Sequence, residues 1–406
     1  MYSPYFVSPL DGEGRKIDVF TATGKKNRKP GGNGDAPVHP GRVIIDTMSD
    51  LCLYAGPRAM KTLREQGLRS ELFRAVAGAS GGPKWFVLYG LDRYLFGEFF
   101  RARQTPLATV GSSAGAWRLA CLALSEPVAA IDRLAELYSH EQYSARPDMA
   151  EITVKARTML ARVLGPGGPQ QIVSNPLIQS HFIAARGKGP LASRYTAVQG
   201  ATLALAALTN ALHRSSLGWY FERVVFNNHA QGCQLTGLED LPTRDVKLTV
   251  DNVSDALLSS GSIPLVLEGV RDIPGAGAGL YLDGGITDYH FDLPFHRKDG
   301  LVLYPHFHSR VVPGWFDKHL PWRTVDPRCY DNVLLVVPSP EFVKRLPYGK
   351  IPDRNDFRTL NYQDRVKYWQ TVLDQSRRLA DVFAELVARG GDPGPVIQPF
   401  DNRPGG

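Results

Sequence analysis

Pro106-Leu107-Ala108-Thr109-Val110-Gly111-Ser112-Ser113-Ala114-Gly115 is the stretch on which the reading of this chain turns. The run from Pro106 to Val110 suits a short strand, and the segment from Ala114 to Leu124 suits a helix. Between them stands the pattern G-x-S-x-G. A serine on a tight strand-to-helix turn projects its hydroxyl clear of the backbone, and small residues at Gly111 and Gly115 prevent clashes across the turn. The helix N-terminus behind it, beginning at Ala114, offers partial positive charge and free N–H groups to developing negative charge. A structural Gly-Ser turn is the alternative; the strand before and the helix after favour Ser113 as a nucleophile.

A second strand-loop-helix unit precedes it. Phe73-Arg74-Ala75-Val76-Ala77 reads as a strand running into Gly78-Ala79-Ser80-Gly81-Gly82-Pro83-Lys84, and Pro83 sits where a helix would start. Glycines in that loop let backbone N–H groups approach a ligand and form an anion hole. Gly81 and Gly82 are the expected donors, because Pro83 has no N–H. A nucleotide P-loop would require G-K-[ST], and the chain has Pro83-Lys84-Trp85 instead. An ordinary glycine turn remains the plain alternative. Two consecutive units of this kind bring their loops side by side at one edge of a parallel sheet. Asp283-Gly284-Gly285 then follows the apolar run Leu280-Tyr281-Leu282. A carboxylate at that strand end points into the same crevice. Standing alone, Asp283 would read as a plain Asp-Gly turn.

The rest of the chain fits one α/β fold, with a mainly parallel sheet sandwiched by helices. Further strands are expected at Tyr220 to Phe226, Leu301 to Tyr304 and Val333 to Val337. The span from about Ser125 to Leu217 reads as mostly helical, broken at Gly165-Pro166-Gly167-Gly168-Pro169. Within it, Ala201 to Leu212 reads as a buried helix too short to span a bilayer. One long amphipathic helix is expected from Tyr362 to Arg389, with a loop-like tail beyond Gly390. Residues 1–42 are rich in Gly, Pro and charge, and are expected to form a flexible leader.

Bulk composition bounds the function. In 406 residues, 43% are hydrophobic and 21% charged, which suits a globular protein with a sizeable core. The net charge of +7 is no nucleic-acid signature; it would favour anionic phospholipid surfaces only if it gathered on one face. A scattered basic surface is the default reading. Cys52, Cys121, Cys233 and Cys329 form no C-x-x-C pair, so no zinc or redox motif arises, and no cofactor or metal is expected. The opening residues lack the positive start and apolar core of a secretory signal, so a cytoplasmic location is expected, with any membrane contact peripheral. Oligomeric state is left open.

The order of a glycine-rich anion loop, G-x-S-x-G and a late D-G-G resembles the patatin-like phospholipase family over roughly Phe73 to Tyr289. Ser260-Gly261-Ser262-Ile263-Pro264 is similar to the small-residue-then-proline stretch that such proteins carry before the D-G-G. The resemblance implies one α/β hydrolase domain over 43–390, with a helical insertion at about 125–217 and a tail at 391–406. It implies a Ser113–Asp283 dyad, oxyanion donors at Gly81, Gly82 and Ala114, and support from Lys84, Gly111, Gly115, Gly284 and Gly285. The implied substrates are phospholipids or other acyl-ester lipids. The chain departs from the family in having Ala79 and Ser80 at the start of the loop and Trp85 after the basic residue. These changes leave two adjacent glycines and alter the loop around them. Two rivals stand beside the dyad. A Ser-Asp-His triad would draw on His290, His296, His306, His308 or His319, and a non-catalytic lipid-binding protein would keep the fold without turnover.

Overall fold

The most apolar runs of the chain supply the middle of one mixed sheet. The computed structural model describes residues 50–230, 235, 237–294 and 300–401; the expected leader and His296 lie outside them. The described residues belong to one compact unit. In chain order the strands are β1 (Leu51–Ala55), β2 (Phe73–Gly78), β3 (Leu107–Ser112), β4 (Ile178–Gly187), β5 (Phe221–Asn227) and β6 (Thr243–Lys247). They continue with β7 (Val270–Arg271), β8 (Leu280–Asp283), β9 (Leu301–Pro305), β10 (Val333–Pro338) and β11 (Ile397–Pro399). Their spatial order is β11-β1-β10-β9-β2-β3-β4-β5-β6, with β8 on β4 and β7 on β8. The central run from β10 to β4 is parallel, whereas β1 meets β10, and β5 and β8 meet β4, in antiparallel fashion. Every residue of β3, β9 and β10 is buried, because helices cover both faces of the sheet.

The expected strands at Phe73, Leu107, Phe221, Leu280, Leu301 and Val333 are all present. The segment between Ser125 and Leu217 is mostly helical as expected, with helices Pro127–Ser139, Met149–Leu164, Gly168–Ser174 and Thr196–Leu212, but it also contributes the unexpected β4, the strand on which both β3 and β8 pair. Ile178-Gln179-Ser180-His181-Phe182-Ile183-Ala184 hides its polar members. Ser180 and His181 are buried with the apolar residues, so the alternation that marks a half-exposed strand is missing.

Three smaller corrections have equally local causes. The long C-terminal helix is two, Tyr362–Gln375 and Arg377–Arg389, hinged at Ser376. There the Ser376 hydroxyl donates to Leu373 O and accepts the Gly90 N–H, so the backbone yields to a tertiary contact. The tail is not all loop, because β11 pairs with β1. Finally, the helix Thr196–Leu212 forms, but it is not buried as read from its apolarity. Leu205, Leu208 and Leu212 face outward, while its inner side holds Leu203 and Ala206 together with Gln199 and Asn210. Those two amides are anchored through their nitrogens, by bonds to Ser193 O and to Asp317 Oδ1.

Candidate active site

The register along β4 sets the site. One edge of β4 pairs with β3 from Leu107↔Ile178 to Ser112↔Ile183, and the next residue, Ala184, pairs with Asp283 of β8. Two strands thus meet end to end on a shared neighbour, and the residues at their meeting ends are forced together. Ser113 lies just past the end of β3, at φ 54°, ψ −127°, a left-handed conformation that a non-glycine residue holds only when its surroundings impose it. The helix Ala114–Leu122 follows at once. That tight turn is possible because Gly115 lies against β2: a Cβ there would stand 1.8 Å from Gly78 O.

The carboxylate side is built by the same kind of close approach. A Cβ on Gly284 would stand 2.0 Å from Ile183 O, so the chain leaves β8 directly over β4. Ser113 Oγ donates to Asp283 Oδ2 at 2.7 Å, and the Gly285 N–H donates to Asp283 Oδ1 at 2.7 Å. Both side chains are buried, with Ser113 4% and Asp283 6% exposed. Burial pushes the Asp283 carboxyl above the usual carboxylate range, against the pull of the Arg354 charge, the Ser113 and Gly285 bonds and the Lys318 charge.

The turn is further tied by the stretch from Ser260 to Ser262. Ser260 Oγ donates to Ile183 O and accepts the Ser113 N–H, and Ser262 O accepts the Asp283 N–H. The glycine loop is stitched in by serines. Ser112 Oγ donates to Asp288 O, so its contact of 2.7 Å with Ser80 Oγ takes its proton from Ser80. The Ser80 N–H donates to Tyr289 O. Ser80, a departure from the resembled loop, is therefore a structural link between that loop and the Asp283 turn.

A cleft opens on the Ser113–Asp283 pair. Its walls are Ser80, Ile263, Pro264, Ile286, Tyr289 and Trp315, with Arg354 among the lining residues. Its lining is largely apolar around one reactive pair and one cation. No protein-family model and no curated protein matches the chain. Among solved structures it is similar to the crystal structure of VipD from Legionella pneumophila, at 11% sequence identity and a TM-score of 0.33, over 76% of this chain and 67% of that one. So low a score leaves the site to stand on its own geometry.

Of the residues singled out in the sequence, Ser113, Asp283, Gly285 and Ser260 converge, and Gly78, Gly115 and Gly284 make the convergence possible. Gly111 belongs to the same turn: a Cβ there would stand 2.7 Å from Ala116. Gly81 and Gly82 are not among the residues lining the cleft, and a Cβ on Gly82 would stand 2.9 Å from Arg354 Nε. The glycine at 82 therefore makes room for a guanidinium. Lys84 is not a lining residue either; its ammonium lies over the Phe307 ring, 5.4 Å from the centroid.

Sequence reading missed Arg354 and Lys318. Neither sits in a recognisable motif: Arg354, in a distant turn, lines the cleft, and Lys318, in the short 3-10 helix Trp315–His319, acts on Asp283 through its charge. The Lys318 ammonium lies 3.9 Å from the centroid of the Tyr289 ring, and burial together with the Arg354 and Lys84 charges holds it well below the usual lysine range. Among the described histidines, none hydrogen-bonds to Ser113 or Asp283. His290 Nδ1 accepts the Val312 N–H, and His306 Nδ1 contacts the His308 backbone. Burial holds both rings well below the usual histidine range.

Proposed function

We propose that this chain is a serine acyl hydrolase of the patatin-like type, cleaving carboxylic ester bonds of lipids through an acyl-serine. The observation that carries the reading is the direct 2.7 Å bond from Ser113 Oγ to a buried Asp283 whose carboxyl is pushed up. A raised carboxylate is a stronger base, which is what a serine hydroxyl requires of it. In the proposed cycle Asp283 accepts the Ser113 proton as Oγ bonds to the ester carbonyl carbon. The oxyanion is met by the N–H of Ala114 at the start of the helix and by the positive charge of Arg354. Collapse expels the alcohol, which leaves with the proton held on Asp283. Water then gives a proton to Asp283 as its oxygen attacks the acyl-serine, and Asp283 returns that proton to Ser113 Oγ as the carboxylic acid leaves. Ile263, Pro264, Ile286 and Trp315 would receive the acyl chain.

The absence of a histidine bonded to either partner, among the described residues, supports a dyad over a triad. A non-catalytic lipid binder draws support from one observation, the seat of Arg354 against Gly82. A serine-directed fluorophosphonate, together with fatty-acid release from a panel of phospholipids and simple esters, decides between them. Labelling and release that vanish in Ser113→Ala support the hydrolase. No labelling and no release from the intact protein would reject it in favour of the binder.

A further inference from the structure

Beside the cleft lies a surface that the hydrolytic reading does not use. The helix Thr196–Leu212 has no charged residue in its seventeen positions. Its exposed side carries Val198, Leu205, Leu208 and Leu212, with Tyr195 just before it and Trp219 just after. Leu208 is 68%, Leu212 86% and Trp219 72% exposed. An apolar stripe along a whole helix is a surface awaiting an occupant rather than a scatter of single residues. It also adjoins the cleft. Gly200 packs near Leu265, which follows the lining residue Pro264, and Asn210 bonds to Asp317, two residues beyond the lining residue Trp315.

Charge identifies the occupant. From Ile152 to Phe221 the chain holds no Asp or Glu and seven Lys or Arg, a surplus equal to the whole formal excess of +7. The folded chain brings part of this surplus to the flank of the apolar helix. Lys188 Nζ donates to Gly218 O, next to Trp219, and the Arg271 guanidinium donates to Ala192 O and Ser193 O, next to exposed Arg194. Among the described residues, Lys188, Arg194 and Arg271 form no ion pair. A partner helix is normally set in register by charges flanking its apolar seam, and this helix has none. Exposed leucines and a tryptophan bordered by unpaired cations instead match the acyl boundary and the anionic headgroups of a lipid surface. No described helix is long and apolar enough to cross a membrane.

We propose that this face docks the protein on an anionic lipid bilayer, with Leu205, Leu208, Leu212 and Trp219 entering the acyl boundary and Lys188, Arg194 and Arg271 meeting headgroups. The choice of lipid over protein rests in part on the acyl-hydrolase reading, since docking here would bring lipid esters to the mouth of the cleft.

The test is co-sedimentation of the full chain with vesicles of diether phosphatidylcholine, alone or with about 30 mol% diether phosphatidylglycerol, which contain no ester to cleave. Binding is expected only with the anionic vesicles, and Leu205→Asp/Leu208→Asp should weaken it at least about tenfold with an unchanged circular dichroism spectrum. The same variant should hydrolyse a soluble short-chain ester at the parental rate. Equal binding by parent and variant overturns the proposal, as does binding indifferent to anionic lipid. A dimer in solution that the double substitution dissolves, without vesicle binding, assigns the face to a second copy and also overturns it. Soluble-ester hydrolysis without vesicle binding rejects docking alone. Vesicle binding lost in the variant, with no hydrolysis of any ester by the parent, upholds docking and rejects the hydrolase reading.

Discussion

Asp92 and Arg118 form a two-bond ion pair, Arg118 Nε to Asp92 Oδ2 and Nη2 to Oδ1, both at 2.7 Å, with each side chain 1% exposed. Asp92 belongs to the helix Tyr89–Tyr94 that follows the glycine loop, and Arg118 to the helix Ala114–Leu122 that follows Ser113. The pair therefore clamps the two strand-loop-helix units that the sequence marks out, one turn behind the chemistry. Within a low-dielectric interior, each charge depends on the other to offset its lost hydration.

Removing one member should be severe. Asp92→Ala leaves a buried guanidinium without its counter-charge and is expected to cost about 3–5 kcal/mol of folding stability, measured by urea denaturation. Replacing both by apolar residues of similar volume, Asp92→Leu with Arg118→Met, should recover most of that loss. Equal losses in the single and the paired variants would show that packing, not charge, is what the pair provides.

Gly115→Ala should fail at the serine turn. Its Cβ would stand 1.8 Å from Gly78 O, so the helix must separate from β2 or the protein must lose about 3 kcal/mol or more. Gly200→Ala is the control, because the nearest atom to its Cβ is Leu265 Cδ1 at 3.7 Å, an ordinary contact in a helix. That variant should be as stable as the parent or up to about 1 kcal/mol more so. Thermal or urea midpoints of the two proteins separate the cases.

The raised carboxyl of Asp283 has a signature in both activity and stability. Ionised Asp283 is the active base, so kcat/KM should fall on the acid side at a pH above the ordinary aspartate value of about 3.9. Between that value and the higher one in the folded protein, the native state binds more protons than the unfolded state. Stability therefore declines as pH rises through this window. Asp283→Asn should abolish that slope, be more stable than the parent at neutral pH and lose more than about a thousandfold in turnover. A parental stability that rises across the window would contradict the assignment.

Arg354 acts on the same limb. Its positive charge pulls the Asp283 carboxyl downward, so Arg354→Gln should move the acid limb of kcat/KM to higher pH. A residue that only packs against Gly82 would leave the limb where it is, whatever it did to the maximal rate. The pH profile of a soluble ester separates these outcomes.

Much of this arrangement was legible because short-range rules act on short stretches. The strand at Phe73, the strand at Leu107, the serine turn and Asp283 at the end of β8 each declare themselves within ten residues, through apolarity, small residues and a breaker in fixed order. The strand Ile178–Gly187 did not, because a strand covered on both faces loses its alternation and hides Ser180 and His181 among apolar neighbours. The outward face of Thr196–Leu212 was misread for the converse reason. Composition reports how apolar a helix is, whereas the direction it faces depends on partners such as Asp317 that lie far along the chain.

By itself, then, the sequence determined the two strand-loop-helix units, the candidate nucleophile and the candidate base, since these are consequences of local sterics and backbone chemistry. The tertiary structure alone decided that Ser112 and Asp283 pair with successive residues of β4, that Arg354 fills the space beside Gly82, and that an uncharged helix stands exposed near the cleft. Those are matters of register and of contacts between distant segments. No window of sequence encodes them, because their energies arise only when the whole sheet has closed around its core.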